Sequence, residues 1–251
     1  MIGERLVDVV IIGGSGVGEH LRSLGGHPLA ITTAFGTIRG QVLVTEGRKI
    51  LMLPRHGRDH KNPPHLVNYR GQARAAAELG AQVCISTAAV GSLALEIPVR
   101  QTVICDGMID ACRQRPLTQF DSGVRHTPIP HPFAESVRES LLCASPASRN
   151  GGVYLGVDGP RFETPDEIQM YRRWGGDLVG MTASSEAIAM AESGIPYGLF
   201  AIVTNYGCGL SDIPPSDDEV QEIMRDESPQ IGEILIKSAL DWLAKNVSSN
   251  A

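Results

Sequence analysis

Along most of this chain, short apolar runs that end at glycine alternate with longer stretches of helical periodicity. Residues 7–12 form a β-branched run stopped by Gly13-Gly14, which predicts a buried first strand. Residues 41–44 and 49–53 predict two more strands around a turn near Gly47. Residues 67–79 have few breakers and end at Gly80, a helix with a glycine at its C-terminus. Residues 83–86 and 102–105 read as short strands, 133–143 as a helix and 153–157 as another strand. Thr164, Pro165 and Glu167 make a capping box with proline at the first helical position. Residues 178–179 lead as a short strand into Gly180, and 185–192 predict a helix closed by Gly194. Residues 197–204 are an apolar strand ending at Asn205. A second capping box at 216–219 opens a C-terminal helical region, broken or kinked at Pro229, with Trp242 on its final apolar stripe.

This alternation predicts an α/β fold, a mixed or parallel central sheet with helices on both faces. A length of 251 residues suits one domain spanning 1–251. In such sheets a ligand is expected in the loops at the carboxyl ends of the strands. Each segment with distinctive chemistry falls just after a predicted strand.

The net charge of −6 and the lack of a basic run argue against nucleic-acid or anionic-membrane partners. Five scattered cysteines with no CxxC pair read as reduced thiols of a cytoplasmic protein, with neither a disulfide frame nor a metal site. Charges at Glu4, Arg5 and Asp8 interrupt the start of the chain, so no leader core is expected there, and no run approaches the ~20 apolar residues of a membrane span.

Three segments together suit a ligand with an aromatic base, a pentose and a phosphate. In residues 159–164, Phe162 offers a flat face and Glu163 a carboxylate for ring N–H groups. In 180–182, Met181 offers a soft apolar surface for a sugar and Thr182 a hydroxyl for an anion. Asn205 adds a side chain that both donates and accepts. The glycines at 13, 14, 16 and 18 do not give GxGxxG; with Ser15 they serve equally as an anion cradle or as a tight turn. Arg55 and His56 end an apolar strand and are placed to present donors at a cleft, and His56 can change charge near neutral pH. Arg58, His60 and Lys61 read as a solvated basic loop. The run Thr87-Ala88-Ala89-Val90-Gly91-Ser92 is a loop that could admit a ligand or simply pack.

Six pieces, IIGGSGV, LPRHGRDH with VNYRGQ, TAAVGSL, GPRFETPDE, VGMTASSEAIAMAESGI and AIVTNYGC, occur in an order and spacing that resemble the purine nucleoside phosphorylase and methylthioadenosine phosphorylase family across residues 9–208. The resemblance implies reversible phosphorolysis of a purine nucleoside with inorganic phosphate as co-substrate and no metal or organic cofactor. It implies Ser15, Arg55, His56, Thr182 and the backbone at Ala89 as phosphate ligands. It implies Met181 as the ribose contact, Phe162, Glu163 and Asn205 as base contacts, and Asn205 and His56 as the residues closest to catalysis. It further implies a homotrimer or homohexamer.

Two departures from the family pattern bear on substrate. Asn205 stands where methylthioadenosine phosphorylases have Asp, and Gly207 where they have a second Asp. Asn can donate to O6 while accepting from N7–H, whereas an ionised Asp only accepts, so the 6-oxopurines are expected: inosine, guanosine or methylthioinosine. Ala88 replaces Thr or Asn, which keeps open a non-catalytic nucleoside-binding protein on the same fold; methylthioadenosine phosphorolysis is the other alternative. Residues 216–219 are expected at the ribose 5′ position. Residues 108–127 have few regular-structure signals and read as a long loop reaching a neighbouring subunit, where His126 or Phe120 could contact a neighbour's nucleoside, or else as a mobile surface loop.

Overall fold

The structure is a computed structural model that describes residues 6–57, 60–116 and 118–247. Its elements follow in the order β1 (Val9–Gly13), α1 (Val17–Ser23), β2 (His27–Thr33), β3 (Gly36–Thr45), β4 (Arg48–Pro54), α2 (Tyr69–Glu78), β5 (Val83–Ser92), β6 (Thr102–Ile104) and β7 (Gly107–Asp110). Then come α3 (Glu135–Ala144), β8 (Arg149–Asn150), β9 (Val153–Gly156), α4 (Pro165–Arg173), β10 (Leu178–Gly180), α5 (Ala183–Glu192), β11 (Tyr197–Tyr206) and α6 (Asp217–Val247).

The strands make one mixed sheet, and its alternating side chains sort the helices into two layers. Val10 and Ile12 of β1 point into a core shared with the alanines of α2 and with Ala183, Ala187 and Met190 of α5. Val9 and Ile11 point the other way, against Val17 and Leu21 of α1, Val137 and Leu141 of α3, and Leu235 and Trp242 of α6. All four β1 side chains are fully buried, each contributing about 1.5–3 kcal/mol relative to exposure. A smaller cluster of Leu93, Leu155, Ile168 and Tyr171 seats α4.

The sheet forks at β5. Residues 83–86 of β5 pair in parallel with β1, whereas Gly91 and Ser92 pair antiparallel with Val179 and Leu178 of β10. On its other edge β5 pairs with β11 along its length. Between the two arms, Thr87–Val90 therefore have a backbone edge with no strand neighbour. Gly91 stands at the fork because a Cβ there would lie 3.1 Å from Val179 and 3.2 Å from the Asn205 side-chain nitrogen. A register shift between Val203 and Asn205 marks a bulge in β11 beside the same point, a device that re-aims side chains.

Several expectations change. The small-residue run 87–92 is not a loop but the second half of β5: its residues are small because two arms and a cleft converge on it. Helix α1 grows out of the glycine loop, and β2 joins β3 and β4 as an antiparallel edge ribbon; neither has a strong apolar signal. The β3–β4 turn holds Glu46 and Gly47, both at positive φ, as a two-residue hairpin requires. Pro229 does not break α6, which continues as one helix of 31 residues packed on the core. Trp242 is buried and its indole N–H donates to Ser136 Oγ at 3.1 Å. The Thr164 capping box is present with both reciprocal bonds. No helix among the described residues is long and apolar enough to cross a membrane.

Candidate active site

The opening between the arms of the fork is a cleft of 430 Å³. All nine residues singled out from the sequence line it: Ser15, Arg55, His56, Ala89, Phe162, Glu163, Met181, Thr182 and Asn205. A second cavity, of 520 Å³, lies across β4 between α1 and α2 and shares only Arg55 with the first. The titratable and bifunctional side chains converge in the smaller one, which therefore holds the chemistry.

The end of the cleft expected to take an anion is built from strand and helix termini. Thr182 is the N-cap residue of α5, yet its hydroxyl makes no capping bond. The amides of Thr182 and Ala183 donate instead to the buried Tyr154 hydroxyl, at 3.0 and 3.1 Å. Accepting those bonds does not offset the burial that pushes the Tyr154 hydroxyl up to about 12. Thr182 Oγ, unspent on a cap, stands at the cleft wall. Across from it, Gly14 N–H donates to Thr87 Oγ at 3.1 Å, drawing the glycine loop and Ser15 onto β5.

Arg55 is less open than its sequence position predicts. It is 2% exposed, and its Nε and Nη2 donate to the two oxygens of Glu186 at 2.5 and 3.0 Å. Nη2 also donates to Ser86 Oγ and the Thr87 carbonyl, each at 2.7 Å. Burial works to lower the guanidinium pKa, but the adjacent Glu186 carboxylate outweighs it and holds the group charged. Nη1 is the nitrogen turned toward the glycine loop: a Cβ on Gly14 would sit 2.5 Å from it, which is why glycine is required there.

His56 does not titrate near neutrality here. Burial first, then the charge of Arg55, push its pKa down to about 3, so the ring is neutral. Its Nδ1 lies 2.8 Å from the Asn62 carbonyl, which can only accept, so Nδ1 carries the proton and Nε2 is an acceptor. An arriving dianion would favour a second proton on the ring. His60 stacks on His56 with ring centroids 4.3 Å apart, and His60 and Lys61 both line the cleft. The expected solvated loop is thus part of the wall; Arg58 lies outside the described residues.

The end expected to take the base lies at the β11 bulge. Asn205 Oδ1 accepts from Thr204 Oγ at 2.9 Å, and Nδ2 donates to the Tyr206 carbonyl at 3.0 Å. These two bonds fix the amide and leave one lone pair and one N–H for a ligand. Glu163 is buried, and that burial raises its carboxyl pKa. Half-buried Phe162 and Met181 supply the apolar surfaces. Ala88 faces away from all of this, packed in the core with the α2 and α5 alanines, while Ala89 lines the cleft.

Sequence reasoning assigned no role to Glu186, Tyr154 or Arg115. Glu186 is an acid on the helix face of Ala183, Ala187 and Met190, a pattern that itself demands a buried partner. Arg115, in the irregular segment after β7, has no such signal. It is buried, donates to the carbonyls of Val157, Asp158 and Met181 and to Ser185 Oγ, and lies over the Tyr69 ring. Gln119 likewise bonds Ala189 O and Ser193 Oγ. Much of the segment expected to reach outward is therefore tied to the chain's own α5; exposed His126 and half-buried Phe120 remain near its surface. Of the expected 216–219 group, Asp217 lines the cleft, joined by Val220 from the same first turn of α6.

A fork-centred cleft with one anion end and one amide-carboxylate end places the chain among nucleoside phosphorylases, and comparison with known proteins gives the family. The phosphorylase superfamily model matches residues 8–240, and the chain belongs to that superfamily. It is 36% identical over 243 residues to the 6-oxopurine nucleoside phosphorylase of Pyrococcus furiosus, covering 91% of this chain and 90% of that protein. It is 36% identical over 234 residues to a probable S-methyl-5′-thioinosine phosphorylase of Methanosarcina acetivorans, covering 92% and 89%. The methylthioadenosine phosphorylase of Schistosoma mansoni, solved with adenine, superposes with a TM-score of 0.91 at 28% identity over 97% of this chain and 94% of that one.

Proposed function

We propose that this chain catalyses the reversible phosphorolysis of 6-oxopurine nucleosides, giving the free purine and ribose 1-phosphate or its 5-methylthio analogue. The carrying observation is the Asn205 amide, fixed by Thr204 and Tyr206 with one donor and one acceptor to spare, in the same cleft as the Glu163 carboxylate. Asn205 donates to O6 and accepts from the N7–H that forms as the departing base takes a proton from solvent, and Glu163 accepts from N1–H. The names of the Pyrococcus and Methanosarcina relatives support a 6-oxopurine or methylthioinosine substrate.

Phosphate is held beneath C1′ by Thr182, Ser15, Arg55 Nη1, His56 and the open edge of β5 at Ala89, and Met181 packs on the ribose. The C1′–N9 bond breaks through an oxocarbenium-like sugar, as in glycoside cleavage generally. A phosphate oxygen forms the new bond to C1′, and the departing electron pair passes into the purine, where Asn205 stabilises N7. Positioning and charge stabilisation carry the reaction, so it needs no metal or organic cofactor. Ala88 packs in the core and not in the cleft wall, which supports the catalytic reading over a non-catalytic binder. The reading extends to a cytoplasmic enzyme of purine salvage, with its five cysteines kept reduced, assembled as a homotrimer or homohexamer.

Hypoxanthine release from inosine, with and without phosphate, tests the reaction. Release only with phosphate supports it; release without phosphate marks a hydrolase, and none at all a binder. Comparing inosine, guanosine and methylthioinosine would then read the 5′ end, where Asp217 and Val220 stand.

A further inference from the structure

Glu186 is 1% exposed, is absent from the cleft wall and yet holds the most heavily bonded carboxylate near it. Oε1 accepts from Arg55 Nε at 2.5 Å. Oε2 accepts from Arg55 Nη2 at 3.0 Å, Ser86 Oγ at 2.7 Å and Tyr197 Oη at 2.8 Å. Those donors come from the end of β4, from β5 and from β11, while Glu186 itself rides on α5, the helix that begins just after Thr182.

We infer that Glu186 is a positioning residue for anion binding, which consumes Nε and Nη2 of Arg55 so that Nη1 alone is offered to the cleft, at a fixed distance from Thr182. This rests on the phosphorolysis proposed above. An arginine has five N–H donors in one rigid plane, so fixing two nitrogens fixes the direction of the third. The same carboxylate locks α5 to the end of β4, and so sets the span between the Thr182 hydroxyl and the Arg55–His56 pair. An oxyanion site works through donors held in place before the ligand arrives, and Glu186 supplies that here without touching the anion.

Charge and position make opposite predictions for Glu186→Gln. The substitution removes a negative charge from beneath the site, so attraction by charge alone would tighten phosphate binding. An amide, however, turns an N–H toward a ring of donors. Ser86 and Tyr197 can reverse their hydroxyls, but the arginine N–H groups cannot, and one Arg55 bond is lost.

The experiment is steady-state kinetics of Glu186→Gln with inosine and phosphate each varied, alongside calorimetric titration of inorganic phosphate into wild type and variant. We expect KM for phosphate to rise about tenfold or more, the loss of one charge-assisted bond, with KM for inosine within about twofold. Ser86→Ala keeps the carboxylate but removes the hydroxyl between it and Arg55, and should move phosphate KM the same way by a smaller factor even if Glu186→Gln fails to fold. Phosphate affinity unchanged or improved in either folded variant overturns the inference, as does an equal rise in both KM values. Wild type that shows no phosphorolysis sinks the functional reading and the inference together; an active wild type with an unaltered variant sinks the inference alone.

Discussion

The Tyr154 hydroxyl of β9 accepts the Thr182 and Ala183 amides at 3.0 and 3.1 Å, while the Thr182 hydroxyl makes no capping bond of its own. The two amides at the start of α5 are thereby held by a neighbouring strand, and the Thr182 hydroxyl is not spent on its own helix. The two roles can be separated. Thr182→Val should raise phosphate KM with little change in melting temperature. Tyr154→Phe should leave two amides without an acceptor and cost about 1–3 kcal/mol of stability. Thermal melts and phosphate-dependent kinetics on both variants check the division.

Asn205→Asp is expected to lower kcat/KM for inosine by several orders of magnitude, because a site built to bond a polar group discriminates by about 10⁴ or more when that bond is lost. Adenine nucleosides should lose far less. A wild type that prefers methylthioadenosine to inosine would reverse the assignment of this residue.

Burial raises the Glu163 carboxyl pKa above its ordinary 4.5. Accepting from N1–H needs the ionised form, so kcat/KM for inosine should fall on the acid side at a pH above 4.5. For stability the sign is the opposite of a salt-bridged acid. Stability is greatest below the unfolded pKa and declines as pH rises through the raised folded one. Glu163→Gln should therefore melt higher than wild type at neutral pH, by about 2–4 °C for each kcal/mol relieved, while losing turnover. A neutral-pH melting temperature below wild type would count against this account.

Arg55→Ala is expected to act on the fold before it acts on kinetics. Removing the partner strands the Glu186 carboxylate in the core, a change that costs about 3–5 kcal/mol. Urea denaturation should show that loss. A variant as stable as wild type would mean that Glu186 finds another partner.

Assembly is measured by light scattering at micromolar concentration. A trimer or hexamer is expected, with the exposed part of the segment around Phe120 and His126 at the contact. A mass near the 26.8 kDa of one chain would refute the oligomer.

The site was legible because its parts are local: glycine-flanked strand ends, a capping box at Thr164, and Asn205 closing an apolar run. Strand 153–157 and helix 133–143 were legible from periodicity to within a residue or two. The second half of β5 was not, because Thr87 to Ser92 has the composition of a loop and is strand only through pairing with β11 and β10. Pro229 misled for a similar reason: α6 is held by burial of Ile223, Ile231 and Leu235, which overrides a local breaker. The long-range clasp of Arg115 on the Met181 carbonyl joins residues 66 positions apart, beyond the reach of any short motif.

The fork in the sheet carries the two jaws of this cleft on different strands. Arg55 and His56 follow strand β4 on the β1 side, and Met181 and Thr182 follow β10 on the other, with Gly91 at the pivot. Their separation is set jointly by the Glu186–Arg55 bonds that tie one jaw to the other and by what packs at the fork. A single added methyl at Gly91, pressed against Val179 and the Asn205 amide, would thus alter the gap between incoming and departing groups while every ligand-touching side chain kept its identity.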